Sequence, residues 1–128
     1  MNFLPVQPAG HKSILQFVDT ACCFVLPATT WAALERRLQS AKHYTLGLRP
    51  EHILLQPDPG AQLLPATITL LEPLRRKVLL SVTCGPHLLK VLVPAPYWFA
   101  PDTPVWLNFS QGPHHFFDPH TGVALVQR

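Results

Sequence analysis

Charge is scarce in this chain: only 13% of its 128 residues are Asp, Glu, Lys or Arg, against 48% that are hydrophobic. So apolar a balance excludes a disordered acidic or basic tail and predicts a sizeable packed interior or interface. Cysteine is also rare, with three residues, two of them the neighbours Cys22 and Cys23. An odd count with an adjacent pair excludes a disulfide framework and predicts reduced thiols that pack as small hydrophobes. Glycine occurs only at positions 10, 47, 60, 85, 112 and 122, and none is followed directly by the Lys-Ser/Thr pair that ends a phosphate-cradling loop. ATP hydrolysis by this polypeptide alone is therefore not expected. No apolar run approaches the roughly twenty residues that span a bilayer, and the first residues lack the basic region and apolar stretch of a secretory signal. A cytoplasmic location is the expectation.

Proline, by contrast, is abundant: fifteen residues break the chain into short segments. Long helices are excluded, and a small mainly β domain, a barrel or sandwich, is implied. The length suits one domain that buries about two-thirds of its unfolded surface. Ser13 to Val18 and Cys22 to Leu26 read as a hairpin turning at Asp19-Thr20. Thr67 to Leu71 and Val78 to Thr83 alternate as half-buried strands do, joined through Pro73 to Lys77. Leu88 to Val93, Pro104 to Phe109 and Val123 to Val126 complete the strands. Trp31 to Lys42 breaks the pattern, because Leu34 and Leu38 lie four apart among good helix formers; Thr29 or Thr30 would cap this short helix.

Four segments carry a family resemblance. They are Met1-Asn-Phe-Leu-Pro5, Leu46-Gly-Leu-Arg-Pro-Glu-His-Ile53, Leu70-Leu-Glu-Pro-Leu74 and Phe117-Asp-Pro-His-Thr-Gly-Val-Ala-Leu125. In order and spacing they resemble the TOBE domain that follows the ATP-binding cassette in carbohydrate-type ABC importers. The resemblance implies a single TOBE-type domain over residues 1–128, an OB-like barrel with a short helical insertion at about 30–42. In that family the Asn-Phe-Leu segment follows directly on the nucleotide-binding part, commonly after a Met, so the chain reads as a detached tail. The resemblance further implies an accessory and regulatory role in sugar or sugar-phosphate uptake. Its partners would be the cassette, a second copy of the ATPase subunit in a homodimer, the importer's membrane subunits, and a regulatory protein or small solute. The location would be peripheral to the inner membrane, and ATP and magnesium would belong to the parent subunit, with no cofactor in this chain. The family-signature residues fall at Arg49, Pro50, Glu51, His52, Glu72, Phe117, Asp118, Thr121 and Gly122, with a structural or regulatory role. One departure is plain. Arg75-Arg76 follows the Glu-Pro-Leu segment where the family usually has Gly, which argues against the oxyanion pocket of molybdate-type relatives at that turn.

The residues themselves allow several chemistries. Arg49 is placed to pair with a carboxylate such as Glu72 and so brace two halves of the barrel. His114, His115, His120 and Asp118 are of metal-ligating type, but their spacing fits no standard zinc motif. Packing by Phe116 and Phe117, and a turn held by Asp118 and Thr121 at Gly122, is the preferred reading. Pro94-Ala-Pro-Tyr-Trp-Phe-Ala-Pro101 sets three aromatics between prolines, as a packed loop, a partner contact or a base-stacking platform. Few basic residues are interleaved with the rings, and the clusters Arg36-Arg37-Lys42 and Arg75-Arg76-Lys77 are small, so nucleic acid is not the expected partner despite the net charge of +3. No nucleophile-base pair or metal cage follows from spacing. The alternative function is a freestanding domain that binds a small ligand, an oxyanion or a phosphorylated sugar.

Overall fold

A computed structural model describes residues 1–10, 13–19, 23–36, 43–60, 63–95, 100–111, 113–122 and 124–127, the last four by their backbone. Among the described residues, eleven strands and one α-helix follow one another. They are β1 (Asn2–Pro8), β2 (Ile14–Phe17), β3 (Cys23–Val25), α1 (Ala28–Glu35), β4 (Tyr44–Leu48), β5 (Leu54–Gln56), β6 (Leu64–Pro73), β7 (Lys77–Cys84), β8 (His87–Pro94), β9 (Pro104–Asn108), β10 (His115–Phe117) and β11 (Ala124–Gln127). A 3-10 turn, Pro50–His52, follows β4. The mainly β class that proline-punctuated alternation predicts is the one observed.

The strands form two antiparallel sheets of different origin. The six-stranded sheet runs β11-β10-β4-β1-β2-β3 and is built from both ends of the chain. The five-stranded sheet runs β5-β9-β6-β7-β8 and is built from the middle. Their inner faces share one core. Leu4, Val6, Leu46 and Phe116 contribute from the first sheet, and Ile68, Leu80, Val82, Val91 and Leu107 from the second, each with no exposed surface. Period-2 alternation places them there: in β1, Leu4 and Val6 point inward while Phe3 is exposed. Phe109, just past β9, packs on Phe24 and Phe17 at ring separations of 5.3 and 6.2 Å, which ties the end of the second sheet to the first.

The helix begins three residues before the expected start. Pro27 takes an extended conformation (ψ 147°) and stands as N-cap without a side-chain cap bond, its carbonyl accepting from the Trp31 N–H. Thr29 and Thr30 are thus inside the first turn rather than capping it, with Thr30 buried beside Trp31 and Leu34. The remainder of the expected helix, residues 37–42, lies outside the described residues. So do the rings at 97–99, the turn residue Thr20, and Cys22; Cys23 and Cys84 are thiols.

A joint connects the sheets where sequence reasoning did not place one. Asn2, at the start of β1, donates from Nδ2 to the carbonyls of Leu48 (3.2 Å) and Lys90 (2.8 Å), and its Oδ1 accepts from the Lys90 N–H at 2.8 Å. One carboxamide thus satisfies the edge of β8 as a neighbouring strand would. The brace expected between Arg49 and Glu72 is absent: Arg49 is exposed, and Glu72 stands 3.9 Å from Lys90 Nζ with both side chains nearly half exposed. Such a pair adds little, because water screens it. Lys90 Nζ instead bonds Ser81 Oγ at 2.5 Å on the adjoining strand.

Candidate functional site

Three of the four distant segments singled out in the sequence become neighbours in the first sheet. Phe3 pairs with Gly47 and Gly47 with His115; Leu4 pairs with Leu46 and Leu46 with Phe116; Pro5 pairs with Thr45 and Thr45 with Phe117. The Leu4-Leu46-Phe116 row faces the core, and the rows on either side face outward. On that outer surface the Phe3 and Phe117 rings meet edge to face at 5.9 Å. A Cβ on Gly47 would lie 2.6 Å from Met1 Sδ and 3.0 Å from Phe117 Cε2, so the glycine is what lets these side chains lie close against the strand.

Beyond Phe117 the chain turns sharply. Asp118 Oδ1 accepts from the His120 N–H (2.8 Å) and the Thr121 N–H (3.0 Å), and the Gly122 N–H donates to the Asp118 carbonyl at 2.9 Å. Gly122 takes φ 73°, which an L-residue adopts only with strain. This is an Asx-type turn closed by a left-handed glycine. The Thr121 and His120 N–H groups hold the Asp118 carboxyl below its ordinary pKa, so it is ionised at neutral pH. A cavity of about 300 Å³ opens here, lined by Phe3, Thr45, Phe117, Asp118, Pro119 and Gly122. The His43 and His120 rings stand 6.1 Å apart beside the turn.

Arg49, Pro50, Glu51 and His52 lie elsewhere, at the junction of the two sheets. The His52 N–H closes the 3-10 turn on the Arg49 carbonyl at 3.0 Å, and Glu51 is exposed. His52 is near His114, which is fully buried and whose Nε2 meets the Phe109 carbonyl at 2.5 Å. Burial pushes the His114 pKa down, with smaller contributions from the nearby imidazoles of His115 and His52 and a partial offset from the Phe109 bond. His114 is therefore neutral at pH 7, and Nε2 carries the proton that the carbonyl accepts. Among the described residues, His52 Nδ1, His114 Nδ1 and His115 Nε2 are buried without a hydrogen-bond partner. A second cavity, of about 400 Å³, lies at Glu51, Ile53, Leu54, Leu55, Gln56, Leu92, Val93 and Pro94, where the edge strands β5 and β8 face each other.

The structure therefore divides the sequence-predicted residues. Phe117, Asp118 and Gly122 line one cavity, with Thr121 in its turn; Arg49, Pro50, Glu51 and His52 form the junction turn; Glu72 stands apart on β6. Among the described residues no group of three or more His, Cys, Asp or Glu side chains is arranged to hold a metal ion. Asn2 and Gly47 are the residues whose importance the sequence reading missed. The signal was an amide-bearing residue and a glycine inside otherwise mainly apolar segments.

Comparison with known proteins follows the same segments. The model of the TOBE domain family matches residues 46–117. No curated protein matches the chain. Among solved structures it is similar to the cytoplasmic molybdate-binding protein ModG, in a crystal form with molybdate bound, with a TM-score of 0.64 over 95% of each chain at 12% sequence identity. At that identity the likeness is one of fold: a curled, mainly β OB-like architecture with one helix.

Proposed function

The chain belongs to the TOBE domain family, and on that premise we propose that it is the accessory and regulatory domain of an ABC importer's ATPase subunit. It acts in sugar or sugar-phosphate uptake at the cytoplasmic face of the membrane. In this reading the chain performs no nucleotide chemistry. It supports the pairing of two cassettes, each with its own ATP and magnesium, and receives signals from a regulatory protein or solute.

One observation carries the reading: the segments that resemble the importer subunits converge in β1, β4 and β10, with the Asn-Phe-Leu strand held at the centre of the sheet. In the resembled subunits this strand follows directly on the cassette. Movement of a cassette would then act on a strand tied to one sheet by its ladder and to the other by Asn2. The test is the intact mass of the native polypeptide, captured from the source cells by an antibody against this domain. A mass far above 14.3 kDa with a cassette in the same chain is the expected result. A mass near 14.3 kDa would overturn the importer reading.

The second reading is a freestanding binder of an oxyanion or phosphorylated sugar. It is favoured by the extent of the ModG likeness, which covers 95% of both chains. The chemistry of the cavity beside Phe117 does not favour it, because the ionised Asp118 lines that cavity and would repel an anion. Calorimetric titration with molybdate, phosphate and glycerol 3-phosphate separates the two: saturable heat with any of them supports the binder.

A further inference from the structure

We propose that the cavity formed by Phe3, Phe117, Asp118 and Thr45 is a binding site for an organic cation, an ammonium or guanidinium group. Two features of its wall point to a cation, and neither depends on the importer reading. The first is aromatic. Phe3 is 59% exposed, far more than its apolar surface favours, and it is set against Phe117 at 5.9 Å and 66°, so that the two rings present different aspects to one space. Ring faces carry the negative part of the aromatic quadrupole and attract cations within about 6 Å of the centroid.

The second feature is a carboxylate fixed in place. Asp118 Oδ1 is held by the His120 and Thr121 N–H groups, and the Thr121 hydroxyl also bonds the carboxylate, which together fix the carboxylate plane beside the cavity. A side chain that needs no rearrangement to accept a hydrogen bond loses less entropy on binding. Thr45 adds a hydroxyl that can accept from an N–H, and the remaining lining is Pro119 and Gly122. No Lys or Arg is among these residues, although the chain as a whole carries a net charge of +3. The volume of about 300 Å³ suits a tetraalkylammonium or the end of an arginine side chain rather than a large ligand. The His43 and His120 rings stand 6.1 Å apart beside the same turn.

The shared chemistry has two sources, a small quaternary ammonium compound or an arginine side chain presented by a partner protein, and the test distinguishes them. The full chain at pH 8 is titrated with tetramethylammonium chloride and, separately, with N-acetyl-arginine amide, with sodium chloride at matched ionic strength as control. Amide proton-nitrogen NMR shifts are followed at Thr45, Asp118 and Gly122. Saturable shifts at these amides with at least one cation, and none with sodium chloride, are expected. Tighter binding of tetramethylammonium assigns the site to small quaternary ligands, and tighter binding of the arginine amide assigns it to a partner's side chain. Asp118→Asn keeps an oxygen for the His120 and Thr121 N–H groups while removing the charge, and is expected to weaken the preferred cation about tenfold. Phe3→Leu keeps apolar bulk and removes the ring, for a loss of about threefold. Non-saturable shifts with both cations would overturn the proposal. So would equal affinity in Asp118→Asn with its backbone spectrum unchanged, or equal binding of the uncharged isostere tert-butanol.

Discussion

The two sheets are made in opposite ways. The middle of the chain folds on itself: β7 and β8 are joined by the two-residue turn Gly85-Pro86, with Gly85 at φ 59°, and β6 and β7 by a short link in which the Leu74 N–H bonds the Lys77 carbonyl at 2.8 Å. A glycine at the first position of such a turn matches the twist of the flanking strands. The other sheet is closed by segments far apart in sequence, for β4 pairs with β1 on one side and with β10, about seventy positions on, on the other. Local pairing closes small loops and costs little entropy, whereas the β4–β10 ladder must close a long one. The family-signature segments lie mostly in the long-range sheet. They mark where distant strands must meet in register, which is a structural demand, and the outward face of that meeting is where the candidate site lies.

The comparison predicts different kinetic signatures for two core truncations. Phe116→Ala, in the long-range sheet, removes a fully buried ring and is expected to cost about 4 kcal/mol. Leu80→Ala, in the local meander, is expected to cost about 3 kcal/mol. If β6, β7 and β8 form the folding nucleus, Leu80→Ala slows folding while Phe116→Ala mainly speeds unfolding. Urea chevrons of the two variants check this, and the reverse pattern would break the comparison. Asn2→Leu comes next in size. It leaves Lys90 N–H and the Lys90 and Leu48 carbonyls without their partner at about constant volume, for a loss of about 3 kcal/mol. Equilibrium unfolding gives the loss, and hydrogen exchange at the Lys90 amide should accelerate. An unchanged exchange rate would mean that Asn2 does not join the sheets.

What was legible in the sequence follows the same divide. The local strands β6, β7 and β8 could be read from alternation, because each buries one face and each turn is short and carries a turn residue. The convergence of β1, β4 and β10 was not legible: the resemblance marks segments at or beside these strands without pairing them, and nothing in the alternation of β4 names a partner as distant as β10. The Arg49 to Glu72 brace failed for a physical reason. Charge complementarity in one dimension says nothing about distance, and the joint is made instead by an uncharged carboxamide that supplies both donor and acceptor to one strand edge. Within the candidate site, the Asp118 turn was readable because Asp, Thr and Gly at that spacing have a known hydrogen-bond pattern. The pairing of Phe3 with Phe117 was not, because it depends on register.

The junction between the sheets also predicts a pH dependence. An imidazole in the unfolded chain titrates near about 6.5, and burial places folded His114 lower. Above that pH both states hold a neutral ring and folding carries no penalty. As pH falls through the unfolded value, the unfolded chain takes up the proton first, so stability declines, and the decline ends once pH passes below the folded pKa of His114. His114→Gln retains a donor for the Phe109 carbonyl and does not titrate, so it should flatten urea stability between about pH 5 and 7. It should leave intact the acid limb below about pH 4. That limb reflects Asp19, whose carboxyl is lowered by the bond to His87, and Asp118, lowered by its turn N–H groups. A slope unchanged by the substitution would remove the junction as the pH-sensitive part.

The smallest expected effects separate two glycines of the first sheet that are special for different reasons. Gly47 has ordinary backbone angles but no room, so Gly47→Ala forces Phe117 and Met1 aside and should cost about 2 kcal/mol. Adding Phe117→Leu should recover part of that loss, because the nearest ring atom is gone. Gly122 has room, with nothing within 4 Å of an added Cβ, but takes φ 73°. Gly122→Ala should therefore cost about 1 kcal/mol through backbone strain alone, and Gly122→Asn less, since Asn tolerates the left-handed region. Thermal unfolding of the four variants decides it. Were Gly122→Ala as costly as Gly47→Ala, the turn after Phe117 would be packed against something that its open surroundings do not include, and a partner seated on that face would become the explanation to pursue.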